Sequence, residues 1–383
     1  MKQGWEIKKL GEVCETSSGG TPSKTHKEYY EGGNIPWLRS GEVSQGLIYD
    51  TELYITAEGL DNSSAKIFPI DTVVIAMYGA TVGQVGVLKN AMSTNQAVCG
   101  IFPTPKFAPL FLVYYLKAKK SYFLSLAAGG AQPNISQQII RDTYISIPPR
   151  EEQERIVAEL DCLSGVIEKK REQLKELDAL AESIFYTMFG DPSQSEHKVK
   201  RLAELSNAKL SYGSGASAIE YDGETRYVRI TDIKEDGELN DDKASPSVID
   251  DKYLLNEGDI LFARSGATVG KTYHYKEKDG RAIYAGYLIR FIPNTQVVLP
   301  SYIFRYTKTA YYRAFIQSSA QAVAQPNINA QQYGSLMVPV PPLTLQQEFA
   351  DKIEAIEKQK ELIKQSITET EVLFNSRMDY YFN

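Results

Sequence analysis

Residues 265–272 (Ser-Gly-Ala-Thr-Val-Gly-Lys-Thr) are the stretch of this sequence that most resembles a chemical site, because they end like a nucleotide-binding phosphate loop. In such a loop, glycine amides surround the phosphates, the lysine neutralises them and the final hydroxyl binds Mg²⁺. Here the first required glycine is Ser265, and residues 273–275 (Tyr-His-Tyr) predict a strand where the loop requires a helix. The stretch therefore predicts a glycine-rich turn or bulge between strands, not a nucleotide site.

The same glycines occur in the first half of the chain. Residues 79–83 and 266–270 are both Gly-Ala-Thr-Val-Gly, but Gln84 and Val85 stand where the second copy has lysine and threonine. A structural role explains both copies. A functional role also stays open, because glycines let a backbone approach a phosphate closely, and the Thr81 or Thr268 hydroxyl could donate a hydrogen bond to it.

Motifs for catalysis and for metal binding are missing from the sequence. Neither Pro-Pro pair, after Ile147 and after Val340, forms a methylation tetrapeptide, and there is no His-Glu-x-x-His and no nucleophile elbow. Three histidines and three well-separated cysteines cannot build a usual zinc site. We therefore expect a chain that is not an enzyme, holds no metal and belongs in the reducing cytoplasm.

Basic residues at matching positions are candidates for nucleic-acid contacts. Arg39 and Arg229 each follow an aromatic–aliphatic pair, and an arginine at such a position could contact guanine or phosphate. Arg264 has Met77 as its counterpart, as expected if the halves read different sequences. Ion pairing is the ordinary alternative for an arginine, and helix-dipole compensation is the alternative for Lys117. The predicted DNA contacts are Arg39, Ser40, Tyr78, Thr81, Lys117, Arg229, Arg264, Ser265, Thr268 and Lys271.

Further repeats indicate that the chain is an internal duplication. Residues 131–135 and 324–328 are both Ala-Gln-Pro-Asn-Ile, and each Pro-Pro pair is followed by a glutamine, Gln153 or Gln346. The order of the motifs is the same in both halves, while the shift between copies drifts from 187 to 193 positions. This pattern indicates duplication followed by insertions and deletions in loops.

A heptad pattern of apolar residues follows each Pro-Pro pair and predicts two helices of about 35 residues, or about 50 Å. A pseudo-twofold axis would make them antiparallel partners, and a homodimeric coiled coil is the alternative. Lys170 and Lys360 interrupt the pattern, and we expect the seam to open there for a partner helix or for solvent. The predicted seam and docking residues are Leu160, Leu163, Ile167, Leu174, Leu177, Ile353, Ile356, Ile363 and Ile367.

The boundaries divide the chain into mixed α/β segments at 1–149 and 191–342 and helical segments at 150–190 and 343–383. Within the α/β segments, apolar runs predict strands at Thr72–Met77 and Asp259–Ala263 and a helix at Ser301–Arg313. The candidate helix caps are Asn134, Ser136, Asn327 and Asn329. The two large segments are nearly neutral, with 13 Lys and Arg against 12 Asp and Glu, and 18 against 18. The overall net charge of −6 therefore comes from the helices. No apolar run reaches the roughly 18 residues of a membrane span, so we expect no membrane partner.

The repeated Gly-Ala-Thr-Val-Gly and Gln-Pro-Asn-Ile motifs, the helices that start at Pro-Pro-x-x-x-Gln and the Phe-Gly-Asp-Pro hinge at 189–192 resemble the specificity subunits of type I restriction–modification systems. The resemblance covers essentially the whole chain. It implies two α/β (α+β) target recognition domains, at 1–149 and 191–342, as pseudo-twofold-related copies. They would be separated by two long antiparallel coiled-coil spacer helices.

The resemblance also implies partners. Each recognition domain would read one part of a split, asymmetric double-stranded DNA site, and the helices would dock two modification subunits. Those methyltransferases would bind S-adenosylmethionine and methylate adenine, and motor–nuclease restriction subunits would use ATP and Mg²⁺, so no cofactor is expected on this chain. The net charge of −6 is unusual for a DNA-binding protein, because such proteins are usually basic. The alternative classes are a coiled-coil interaction scaffold that does not bind DNA and a stand-alone enzyme acting on nucleic acid.

Overall fold

The computed structural model describes residues 5–127, 133–320 and 326–383 of the chain. It divides into two compact units, one formed by residues 1–170 with 366–383 and the other by residues 171–365. The Ala-Gln pairs at 131–132 and 324–325 of the repeated pentapeptides lie outside the described residues.

Unit 1 is built around two small sheets. The first has the order β2-β10-β7-β8-β4, the second the order β5-β3-β9-β6, and β1 pairs separately with β11. The strands are β1 (Glu6–Lys9), β2 (Thr16–Ser18), β3 (Ile35–Leu38), β4 (Leu47–Ile48), β5 (Tyr54–Ile55), β6 (Ile67–Phe68), β7 (Val73–Ala76), β8 (Val85–Leu88), β9 (Met92–Thr94), β10 (Val98–Ile101) and β11 (Tyr144–Ile147). The helices are α1 (Leu10–Val13), α2 (Ala57–Asp61), α3 (Pro109–Ala118), α4 (Lys120–Leu126), α5 (Gln137–Asp142) and the start of α6 (Arg150–Phe189).

Unit 2 repeats this plan. A four-stranded sheet has the order β13-β20-β17-β18, and the pairs β12-β21, β15-β19 and β14-β16 complete it. The strands are β12 (Val199–Arg201), β13 (Ser211–Tyr212), β14 (Ala218–Glu220), β15 (Arg226–Val228), β16 (Ala244–Pro246), β17 (Ile260–Ala263), β18 (Thr272–His274), β19 (Ala282–Tyr284), β20 (Leu288–Phe291) and β21 (Met337–Pro339). The helices are α7 (Pro300–Tyr306), α8 (Ala310–Ala320), α9 (Ala330–Gly334) and most of α10 (Leu343–Phe382).

The strand registers of the two units correspond residue by residue. In the β7–β8 hairpin Val74 faces Gly86, and in the β17–β18 hairpin Leu261 faces Tyr273, a shift of 187 for both residues. The parallel pairs correspond as well, since β3 lies beside β9 and β15 lies beside β19. All four residues of β7 and of β17 are buried, which is typical of apolar strands covered on both faces. The duplication predicted from the sequence is therefore a duplication of fold.

The glutamine after each Pro-Pro pair fixes the start of a long helix. Gln153 is 1% exposed; its Oε1 accepts from the Ala108 amide at 2.8 Å, and its Nε2 donates to the Lys106 and Pro148 carbonyls at 2.9 Å. Gln346, 0% exposed, makes the same three contacts, with Leu299, Val297 and Pro341. Each amide side chain thus ties the loop before α3 or α7 to the first turn of α6 or α10. This shared role explains why the motif repeats.

The two long helices run antiparallel to each other within each unit. In unit 1, Glu159 of α6 pairs with Arg377 of α10, whereas Lys170, further along α6, hydrogen-bonds Ser366, which is earlier on α10. In unit 2, the rings of Phe189 and Phe349 lie 5.1 Å apart. The predicted coiled-coil pair is confirmed, and the partner of each helix is the other helix of the same chain.

Two expectations about these elements are wrong. The seam does not open at Lys360, which is 5% exposed and lies 2.8 Å from Asp178 of α6 and 3.8 Å from Glu357. The helix-like run from Ser301 to Arg313 is interrupted, since α7 ends at Tyr306 and α8 begins at Ala310. There the Thr309 hydroxyl accepts from the Tyr312 amide at 3.3 Å and so caps a new helix.

Candidate nucleic-acid interface

The repeated glycine motif forms the same tight turn in both units. Gly79–Thr81 and Gly266–Thr268 are single 3-10 turns that connect β7 to β8 and β17 to β18. Gly79 and Gly266 have φ of 70° and 66°, a left-handed conformation that favours glycine. Because a strand follows the turn in unit 2, the lysine and threonine after it do not begin the helix of a phosphate loop.

The repeated Pro-Asn-Ile segment pairs with this turn. In unit 1 the Gly79 amide donates to the Pro133 carbonyl at 2.9 Å and the Ile135 amide donates to Met77 at 2.9 Å. In unit 2 the Gly266 amide donates to Pro326 at 3.0 Å and the Ile328 amide donates to Arg264 at 2.8 Å. The two motifs that identified the duplication are thus a single structural feature in each unit, which we call the paired turn: residues 77–83 with 133–135, and 264–270 with 326–328.

The asparagines of these segments pair with the turn through their backbones and do not cap helices. Asn134 forms an isolated antiparallel β-bridge with Tyr78, and Asn327 forms one with Ser265. Among the cap candidates read from the sequence, Ser136 and Asn329 are the actual caps, accepting from the amides of Ile139 and Gln332. The helices α5 and α9 therefore begin just after the paired turn.

The predicted hydroxyl contacts have partners inside the turn. Thr81 Oγ1 donates to the Tyr78 carbonyl at 3.1 Å, and Thr268 Oγ1 donates to the Ser265 carbonyl at 3.0 Å. Both hydroxyl protons therefore close the turn, and only the oxygen lone pairs remain available. Ser40 begins a 3-10 helix, Ser40–Gln45, that packs beside Gly79–Thr81.

Arg39 and Arg229 occupy equivalent positions, and each is held by two carboxylates. Arg39 pairs with Glu42 and with Glu52, and its backbone amide donates to Glu42 at 3.0 Å. Its counterpart Arg229 forms the same contacts with acidic residues at the same spacings of 3 and 13. The carboxylates of Arg229 are Asp232, at 2.8 Å and 0% exposed, and Asp242, at 3.1 Å.

The hydrogen bonds to Asp232 raise the pKa of Arg229 above its ordinary value, so the charge is permanent and already compensated. Two of the other predicted cations also have partners. Lys271 pairs with Glu235 at 2.9 Å, and the exposed Lys117 lies 5.8 Å from the ring centre of Tyr114. None of these contacts tests binding to DNA, so these residues stay predictions.

Arg264 differs from the other arginines, because no carboxylate pairs with it among the described residues. Its guanidinium lies 4.7 Å from the ring centre of Tyr212, and its Nε donates to Asn327 Oδ1 at 3.3 Å. Its backbone amide donates to the Tyr287 carbonyl at 3.1 Å, and the Tyr287 side chain is 63% exposed. An uncompensated guanidinium stacked on the exposed ring of Tyr212 is suited to phosphates or base edges.

The equivalent surface of unit 1 carries different side chains. The strand registers place Ser18 where unit 2 has Tyr212, Met77 in place of Arg264 and Ala97 in place of Tyr287. Met77 is 2% exposed, while Tyr78, in place of Ser265, is 44% exposed. Sequence reasoning singled out Arg264 but missed Tyr212 and Tyr287, since strand pairing alone brings these three residues together.

The helix seam is enclosed along its predicted length. Leu160, Ile167, Ile353, Ile356 and Ile367 are buried, between 0% and 9% exposed. The remaining predicted seam residues are partly buried: Leu163, Leu174, Leu177 and Ile363. These residues therefore pack inside the units, and a docking partner would meet the outer faces of the helices. Exposed apolar residues on α10 include Leu362 and Val372, at 67% and 65% exposed.

No group of three or more His, Cys, Asp or Glu in residues 5–127, 133–320 and 326–383 is arranged to hold a metal ion. Nor does any helix in those ranges combine the length and hydropathy needed to cross a bilayer.

Comparison with known proteins identifies similar chains. A family model described as the type I restriction modification DNA specificity domain matches residues 2–179 and again residues 194–372. The type I restriction enzyme MjaIX specificity subunit of Methanocaldococcus jannaschii is 28% identical over 69% of this chain and 67% of its own length. The EcoKI specificity subunit of Escherichia coli is 22% identical over 93% of this chain and 82% of its own.

Two solved structures share the fold. The S subunit of the type I restriction–modification system from M. genitalium is 15% identical, with a TM-score of 0.57, and the match covers 98% of this chain and 95% of that one. A chain from a structure on assembly and conformational transition of the type I system is 18% identical, with a TM-score of 0.62, covering 100% and 98%.

Proposed function

The chain belongs to the type I restriction–modification DNA specificity family, and from that premise we infer that it selects the DNA sequence on which a restriction–modification complex acts. It is a non-catalytic targeting subunit. Its partners are DNA and the other components of the complex. The family match favours this function over a coiled-coil scaffold that does not bind DNA.

Recognition of a split site is supported by the paired turn, which occurs once in each unit. The two units share one backbone there but present different side chains, Arg264 and Tyr212 in unit 2 against Met77 and Ser18 in unit 1. Contacts to phosphates carry little sequence information, whereas side chains at base edges distinguish base pairs. One backbone with two side-chain sets would therefore read two different half-sites, one for each recognition domain, residues 1–149 and 191–342.

The long helices would set the gap between the half-sites. Each contributes residues to both units, and α6 runs without a break for 40 residues, or about 60 Å. A continuous helix fixes rotational phase as well as distance, which a flexible linker cannot do. Half-sites on one face of a duplex lie about 34 Å apart, or a multiple of that.

The remaining partners follow from the family. Two modification subunits would dock on the outer faces of α6 and α10, and motor–nuclease restriction subunits would join them. S-adenosylmethionine, ATP and Mg²⁺ would bind to those partners and not to this chain. Because the DNA of the cell is the target, the complex would work in the cytoplasm.

The test of DNA reading is Arg264→Met, which installs the residue of the first unit. In the complex assembled with its modification subunits, we expect affinity for the specific duplex to fall about 10- to 100-fold, the usual worth of a good arginine–base contact. Arg281→Met is the matched control, because Arg281 is an exposed arginine paired with Asp251.

Duplexes with one scrambled half-site show which half-site Arg264 contacts. Scrambling the half-site read by unit 2 should remove the difference between wild type and Arg264→Met, while scrambling the other half-site should preserve it. Equal affinity of wild type and Arg264→Met for the intact site would show that Arg264 does not contact DNA.

A further inference from the structure

Unit 2 contains a polar cavity of about 680 Å³ beside the C-terminal helix. Its wall is formed by the start of β15, the loop at 236–243, the end of β18 with the turn that follows, one face of α7, and the face of α10 between Ala350 and Lys364. A cavity of this volume matches small-molecule ligands, since such sites usually measure 300–1,000 Å³.

Two arginines in the cavity wall are more than nine-tenths buried and incompletely satisfied. Arg226 is 8% exposed and Arg305 is 9% exposed, and the Nε atom of each is buried without a hydrogen-bond partner among the described residues. Arg226 Nη2 donates to the Asn240 carbonyl at 2.6 Å, and the described residues provide no carboxylate that pairs with it. A buried, uncompensated guanidinium is costly unless an anion binds to it.

The other buried charges of the wall largely compensate one another. Arg305 pairs with Glu357, and Lys360 pairs with Glu357 and Asp178. The pKa of His274 is lowered to about 4, first by burial and then by Lys276 and Arg305, so its ring is neutral at pH 7. Arg226 is therefore the buried basic residue of the wall that no carboxylate of the described residues pairs with.

Most acidic residues that line the cavity are exposed, so water and salt screen their charges: Asp236, Asp241, Asp279, Glu354 and Glu361. Glu238 and Glu357 are half-buried and pair with Lys364 and Arg305. None of these carboxylates pairs with Arg226 within the described part of the chain.

The first copy of the fold lacks this arrangement. Three features show which residues of the two copies are equivalent. The β7–β8 hairpin matches the β17–β18 hairpin in register. The hydroxyls of Tyr115 and Tyr306 donate to matching strand carbonyls, and Gln153 and Gln346 make matching contacts. These features place Val87, Tyr114 and Ile167 of the first copy at the positions of His274, Arg305 and Lys360. The shared fold therefore does not require the buried cations Arg305 and Lys360, which are particular to unit 2.

We propose that this cavity binds a small phosphate-bearing molecule, whose phosphate is held by the guanidinium groups of Arg226 and Arg305. Phosphate suits the site because its three oxygens can accept from two guanidinium groups, whereas a carboxylate offers two. The volume left over accommodates the rest of the ligand. The site goes beyond DNA recognition, since it would let a metabolite act on the unit that also carries Arg264.

The experiment uses the full chain and inorganic phosphate as the probe, with sodium chloride of equal ionic strength as the reference. We expect saturating phosphate to raise the unfolding temperature of wild type by about 5 °C, the usual scale for ligand at about 100 times its Kd. Arg226→Met should lose this shift without being less stable in phosphate-free buffer, because it removes an unsatisfied charge. Arg281→Met should retain the shift. No shift in wild type, or the same shift in Arg226→Met, would overturn the proposal.

A second variant tests the same proposal if Arg226→Met fails to fold. The triple variant Arg305→Tyr, Glu357→Ser, Lys360→Ile restores the residues of the first copy and should also lose the phosphate shift; retention of the full shift would contradict the proposal. Calorimetric titration of phosphate in the presence of a DNA duplex separates the two sources of phosphate. An unchanged Kd supports a small-molecule site, and displacement of phosphate by the duplex would assign Arg226 to the DNA backbone instead.

Discussion

Replacing Gln346 with methionine should destabilise unit 2 more than any conservative surface change. The side chain is 0% exposed and satisfies three backbone groups, the amide of Leu299 and the carbonyls of Val297 and Pro341. Gln346→Met keeps the length of the side chain and removes every polar atom. All three backbone groups would then be buried without a partner.

The expected loss follows from those three hydrogen bonds. At about 1 to 1.5 kcal/mol each, the free energy of unfolding should fall by about 3–4 kcal/mol. With a urea dependence of about 2 kcal/mol per M, the midpoint of urea unfolding should drop by about 1.5–2 M. Circular dichroism follows the unfolding, and the first-copy variant Gln153→Met should behave in the same way.

Gln347→Met is the matched control, one residue further along the same helix. Gln347 is exposed and hydrogen-bonds only Asp351, at 2.9 Å. Its replacement should change the free energy of unfolding by less than about 0.5 kcal/mol. If Gln346→Met and Gln347→Met unfold at the same urea concentration, the repeated glutamine does not anchor the helix and our explanation of the repeat is wrong.

Two further predictions concern unit 2. His274 has a pKa lowered to about 4 in the folded chain, mainly by burial. Between pH 6.5 and 4 the unfolded chain therefore binds a proton at this residue that the folded chain does not. The free energy of unfolding should fall with falling pH, by up to about 3 kcal/mol from this group. His274→Val, the first-copy residue, should reduce that dependence in urea unfolding at pH 7 and pH 5, and an unchanged pH dependence would contradict this view. Gly266→Ala should cost about 1 kcal/mol through its φ of 66° alone, because an added Cβ meets nothing within 4 Å. Gly215→Ala, with open space and no positive φ, should not destabilise in the same unfolding assay.

The duplication, the two long helices and the hairpin turn could be predicted because each depends on local pattern. Repeated motifs reveal a repeated fold, and apolar residues at heptad spacing require a helix whatever it packs against. The strands predicted around the glycine turn, such as Val73–Ala76 and Ile260–Ala263, lie where the apolar runs placed them. The Pro-Pro pairs marked the helix starts because proline is tolerated only before or within a first turn.

The two wrong predictions have different causes, a contact between distant residues in the first case and local side-chain hydrogen bonds in the second. Lys360 looked like an opening in the seam because its partner Asp178 lies 182 positions away. The interruption of the helix between Tyr306 and Ala310 contains no glycine or proline. It depends on the Thr307 and Thr309 hydroxyls, which donate to the carbonyls of Phe304 and Tyr306.

Among the interface residues, some contacts could be predicted from local spacing, and others depend on the pairing of distant strands. The carboxylates that hold Arg39 and Arg229 stand at the same spacings of 3 and 13 in each copy, so their pairing was readable from the sequence. The grouping of Tyr212, Arg264 and Tyr287 was not, because it depends on the pairing of β13, β17 and β20.

Mapping modified adenines in a genome that carries this chain and its partner subunits tests the central claim most directly. Two recognition domains with different side chains on one backbone predict a motif in two unlike parts, separated by a gap of constant length. A single uninterrupted motif, a palindrome with identical halves, or a gap of variable length would contradict recognition by two unlike domains held at a fixed spacing.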